Sequence, residues 1–198
     1  MMMVELTSVP SAALPVAALA DYLRLSSGFA DDGSQNARLE VCLRAACAAI
    51  EARTGKALFQ RSFSVTFHGA WDGAEAQALP VAPVASVDAV TMIARDGAES
   101  VIEAARYGLR VDAHRPLLIA TGTVLPAIPN GGSAEVEITA GFAPIWDDLP
   151  SDLQQAVLGL AAEYYNHVPA ERANPMPAPI AALLAPYRPL RLGRGAMA

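Results

Sequence analysis

The side chains able to do acid–base, nucleophilic or metal chemistry are few and scattered. His68, His114 and His167 lie in separate stretches, without the His-x-x-x-His spacing that puts two imidazoles on one helix face. Each reads as a surface or strand-end residue. Asp31-Asp32 and Asp147-Asp148 are paired carboxylates, the residue type for a hard cation or for proton transfer. The first pair continues into Gly33-Ser34 and reads as a turn. The second precedes a helix, where negative charge suits the positive end of the dipole. Cys42 and Cys47 are five positions apart. On a helix that is about 500° of rotation, so the thiols diverge by about 140°. They neither pair there nor match a zinc spacing, and they read as small buried apolar residues. Gly131-Gly132-Ser133 lacks the Gly-Lys-Ser/Thr ending of a phosphate loop, and no Gly-x-Ser-x-Gly elbow occurs. No catalytic, cofactor-binding or metal-binding set is expected. Trp71 and Trp146, beside Asp and Gly in loops, have the residue type of interface anchors or of plain loop packing.

The elements that would position these residues follow from periodicity. Residues 1–14 read as irregular, with Pro10 and Pro15 breaking an early helix. A first helix is expected near 15–26, with Val16, Leu19, Tyr22 and Leu23 on its apolar side. A second spans about 34–54, where Leu39, Leu43, Ala46 and Ile50 stand at i, i+4, i+7 and i+11. Glu40 precedes Arg44 by four, the favourable order for a helix pair. Gly55 suits a left-handed C-cap, and Arg53 and Lys56 suit the negative helix end. Over about 58–141 the period changes. Phe63, Val65 and Phe67 alternate with Ser62, Ser64, Thr66 and His68, a half-buried strand. Further strands are expected at 87–93, 100–102, 107–111, 117–119 and 134–139, with a hairpin turn at Asp96-Gly97 and an extended edge at Val81-Ala82. A third helix, about 150–166, repeats the stripe with Leu153, Val157, Leu160 and Tyr164. The class is therefore α+β: a small helical bundle packed with a short-stranded antiparallel β region, plus an extended C-terminal arm. Residues 1–167 form the domain. Residues 168–198, rich in proline and ending in Arg188, Arg191 and Arg194, form an arm that orders on a partner; Ile180 to Leu184 suit one short helix within it.

Composition excludes several classes. At 198 residues the chain can bury a core without disulfides. Its net charge of −6 is poor for wrapping DNA, since that affinity comes from Lys and Arg displacing counterions. No apolar run approaches the ~20 residues that cross a bilayer, and the start lacks a basic signal-peptide region.

An ordered set of motifs resembles one family. Glu51-Ala52-Arg53-Thr54-Gly55-Lys56-Ala57-Leu58 closes the second helix, and Leu79-Pro80-Val81-Ala82-Pro83-Val84-Ala85-Ser86-Val87 leads into the strands. Tyr107-Gly108-Leu109 and Val136-Glu137-Ile138-Thr139-Ala140-Gly141-Phe142 follow. Leu149-Pro150-Ser151-Asp152-Leu153-Gln154-Gln155-Ala156-Val157 opens the last helix, which ends in Tyr164-Tyr165-Asn166-His167. The order resembles the head–tail connector (adaptor) proteins of long-tailed phages and of the gene transfer agents derived from them, over about 35–168. The resemblance implies a structural, non-enzymatic subunit of a virion or particle neck, made in the bacterial cytoplasm. It implies a twelve-fold ring of self-associated copies below the portal protein and above a stopper or tail-terminator protein, with DNA threaded through unread. It carries no catalytic residues, no cofactor and no membrane contact. A C-terminal segment that grips the portal is the family habit, and Tyr187, Arg188, Leu190, Arg191, Leu192 and Arg194 are the candidate portal-binding residues here. Sheet edges near 58–68 and 87–95 are candidates for the ring interface. Another neck part, a stopper or head-completion protein, is the alternative, and a small enzyme or regulator a more distant one. A chain cut after His167 is expected to fold without binding portal, and the free subunit to be a monomer that assembles on the portal.

Overall fold

A computed structural model of the chain describes residues 1–25, 33–166 and 176–188. Among the described residues, four α-helices, α1 (Val16–Tyr22), α2 (Gly33–Thr54), α3 (Ser151–Asn166) and α4 (Ala178–Leu183), stand beside two antiparallel sheets. The larger sheet has the order β1 (Met2–Glu5), β2 (Arg61–His68), β8 (Ser133–Ala140), β4 (Val84–Ile93), β5 (Glu99–Val101). The smaller has the order β3 (Ala76–Ala78), β7 (Leu117–Ala120), β6 (Tyr107–Arg110). The α+β class holds.

Two cores result. In the helical core, Leu39, Leu43, Ala46 and Ile50 of α2 are fully buried against Leu153, Val157 and Leu160 of α3. Leu19 of α1 and Leu58, Phe59, Ala143 and Leu149 complete it. In the β core, the alternation in β2 turns Phe63, Val65 and Phe67 inward beside Val136 and Ile138 of β8. The smaller sheet covers that face with Leu118 and Tyr107. The opposite face of the larger sheet carries Ser64, Thr66, Glu135, Glu137 and Thr139, the polar half of each alternation.

Several expectations change, among them that for Tyr22, which is exposed rather than on the apolar side of α1. Residues 2–5 are a strand: β1 pairs antiparallel with β2, Val4 opposite Ser64. The uninterrupted Met-Met-Met-Val run has no period-two signal, so its strand character comes from the partner. Tyr164, the fourth member of the α3 stripe, is exposed. Its neighbour Tyr165 instead receives the Arg38 guanidinium over its ring at 4.5 Å. The segment 58–68 is no sheet edge, because β2 lies between β1 and β8; the 91–93 part of β4 is likewise covered by β5. Finally, residues 176–188 do not stand apart as an arm. Ile180 and Leu184 are buried in the helical core, 6% and 0% exposed. Apolar burial there outweighs the proline-rich composition on which the boundary at His167 rests.

Candidate assembly surface

Three of the motifs, those around Gly55, Pro83 and Gly141, meet at one place, the joint between the helical core and the β core. Gly55 ends α2 with φ 65°, and its N–H donates to Glu51 O at 2.8 Å, the expected left-handed cap. Two residues on, the Ala57 N–H donates to Ala82 O at 3.0 Å, which ties the α2 exit to the Pro80–Val87 segment and its cis Ala82-Pro83 bond. The Gly141 N–H donates to Pro83 O at 2.9 Å. A Cβ on Gly141 would stand 2.3 Å from Phe59 O, so only glycine permits this backbone approach, at φ 140°. Glu51 binds the joint from the helix side: its carboxylate accepts from Leu58 N–H at 2.8 Å and from Arg61 Nη2 at 2.6 Å. Arg61, 5.0 Å from the Phe63 ring, also lies 3.1 Å from Glu5 of β1. Lys56 does not cap the helix with an exposed charge. It is 3% exposed, its ammonium donates to Ala113 O, and burial holds its pKa below the ordinary lysine value.

The C-terminal segment is fastened by Tyr187. Its hydroxyl donates to the Asp152 carboxylate at 2.7 Å, and its ring meets Phe142 edge-on at 5.5 Å. Burial, with the adjacent carboxylate, pushes this phenol up to about 12. Of the six candidate portal-binding residues, Tyr187 therefore works largely inside the chain, and Arg188 beside it is exposed. Leu190, Arg191, Leu192 and Arg194 lie outside the described residues.

The other singled-out residues do not converge. Trp71 packs on Phe67 at 5.3 Å and donates to Pro126 O at 2.7 Å, so it is a loop anchor within the fold. Trp146 packs on the helical core and accepts from Gln154 through its carbonyl. Asp147 and Asp148 are exposed in a 3-10 turn before α3, and His68 and His114 are exposed. Asp31, Asp32 and His167 fall outside the described residues. Cys42 and Cys47 are buried and unpaired, with burial pushing Cys47 up to about 12. Among the described residues no three His, Cys, Asp or Glu side chains are grouped to hold a metal ion, and no helix is long and apolar enough to cross a membrane.

No family model and no curated protein matches the chain. Solved structures do. The chain is 46% identical to a chain of the neck of an empty gene transfer agent particle computed with C6 symmetry, with a TM-score of 0.89 over 98% of this chain and 99% of that one. It belongs to the gene transfer agent neck proteins. A chain from the virion of a native gene transfer agent particle is 46% identical with a TM-score of 0.87 over the same shares. A third, from the neck of a native particle computed with C12 symmetry, is 42% identical with a TM-score of 0.84. In a neck protein the surfaces that matter are those the fold leaves uncovered. Among the described residues, exposed large apolar side chains gather on Met1 to Leu6, while Val41, Val101, Val111, Val124 and Ile145 stand singly. The first group falls in a stretch whose sequence reads as irregular.

Proposed function

We propose that the chain is the connector (adaptor) subunit of a gene transfer agent or related phage-derived particle. Copies form a ring in the neck between the portal and the stopper or tail-terminator ring, and DNA passes through without being read. The observation that carries this reading is the 46% identity over 98% of the chain to a neck chain. The physics agrees. A net charge of −6 suits a wall past which DNA slides rather than sticks. The role is structural, with the side chains at the joint spent on holding two cores together rather than on a substrate.

Portal contact is assigned to the end of the chain. Tyr187, held by Asp152 and Phe142, anchors the segment; Arg188, Leu190, Arg191, Leu192 and Arg194 follow as the grip. Arginine forks suit an acidic or carbonyl-rich protein groove. The test is a chain ending at Arg188, assayed by pull-down on portal. It is expected to melt with the full-length protein and to lose most portal binding. Retained binding would remove the grip from this segment.

A further inference from the structure

We infer that β1 of one copy pairs with β5 of the next, so that the five-stranded sheets join side by side around the ring; this rests on the ring reading above. A ring of identical chains needs two different complementary surfaces on each copy, facing its two neighbours. The larger sheet has two such ends. β1 and β5 are its outermost strands, and every residue of both is exposed.

The β1 edge lacks the usual protections. It carries no lysine, proline or bulge, and its one charge, Glu5, is engaged by Arg61 at 3.1 Å. The Leu6 N–H donates inward to Ser62 O at 2.8 Å. By the alternation of an antiparallel ladder, the N–H groups of Val4 and Met2 also turn inward, and those of Met3 and Glu5 turn out to the free edge. At the other end, Val101 is 74% exposed, among the most exposed large apolar side chains described.

The side chains fit the same pairing. Val4 is opposite Ser64, which is opposite Glu137, on the polar face of the sheet. Val101 is opposite Thr91, which is opposite Glu135, on that same face. The face is thus polar at its centre, apolar at one lateral end with Met2 and Val4, and carries Val101 beside Glu99 at the other. Joining copies end to end covers both. Strands of four and three residues make few hydrogen bonds. One such joint is weak, which suits a subunit that is monomeric alone and closes a ring only where a template gathers many copies.

The test uses particles made in cells whose chain carries Val4→Cys together with Val101→Cys, treated with a mild thiol oxidant. Within one chain these positions lie four strand spacings apart, about 19 Å, too far for a disulfide. The native thiols are buried. A ladder of covalent multimers on a non-reducing gel is expected. A ring seen by cryo-electron microscopy without the ladder would overturn the strand pairing and leave the ring standing. Absence of any ring of this chain would remove the reading beneath it. Cross-linking of the Val4→Cys single variant to a different particle protein would also overturn the proposal. As a second variant, Met3→Pro removes one outward N–H and no inward one. It is expected to give a folded chain missing from necks, and its incorporation at the wild-type level would count against the pairing.

Discussion

Tyr187 and Arg61 are the two side chains whose removal is most informative. The Tyr187 phenol is pushed up to about 12, against about 10 for free tyrosine. A raised pKa in the fold means that the neutral form is favoured there. Its contribution is complete below about pH 10 and is lost as pH rises towards about 12. Tyr187→Phe is expected to cost about 1 kcal/mol at neutral pH, measured by denaturant melts. In an ultraviolet titration the late-ionising tyrosinate should vanish from this variant. If it persists, another residue owns that transition. Arg61 is 9% exposed at its side chain and lies between Glu5 and Glu51. Arg61→Ala leaves the half-buried Glu51 without its cation and should cost about 3 kcal/mol. Hydrogen exchange should show β1 opening before the rest of the sheet. A melt within 0.5 kcal/mol of wild type, by the usual scale of surface substitutions, would contradict that placement.

At the scale of elements, α4 is the part that the boundary at His167 misjudged. Leu184 is fully buried, so Leu184→Ala should destabilise by about 3 kcal/mol. A chain ending at Asn166 should melt well below one ending at Arg188, because it uncovers the core around Ile180 and Leu184; equal melting would mean that α4 is dispensable. Elsewhere the sequence reads clearly where one element decides its own face. Leu39, Leu43, Ala46 and Ile50 are buried as their spacing requires, and Phe63, Val65 and Phe67 likewise. Legibility fails where a neighbour decides. β1 is a strand only because β2 offers a partner. Tyr164 faces outward because a stripe's last position depends on where the facing helix stops. α4 is six residues among prolines, and only the surface of α3 gives Ile180 a place. The motifs were readable as an ordered set, but not that Gly55, Pro83 and Gly141 meet at one joint, since that needs contacts across some 85 positions of sequence.

At the scale of the whole molecule, two small cores share a hydrogen-bonded joint, and the two outer strands of the larger sheet, β1 and β5, are exposed. Such a layout suits a chain that meets other subunits in a particle neck. The account stands most directly on where the protein sits in a particle. Cryo-electron microscopy of necks from producing cells, with and without the gene for this chain, measures that. The account predicts a ring of this chain directly against the portal, and particles without joined tails when it is deleted. Tailed, DNA-filled particles from the deletion strain, or a neck whose portal-adjacent ring is another protein, would contradict it.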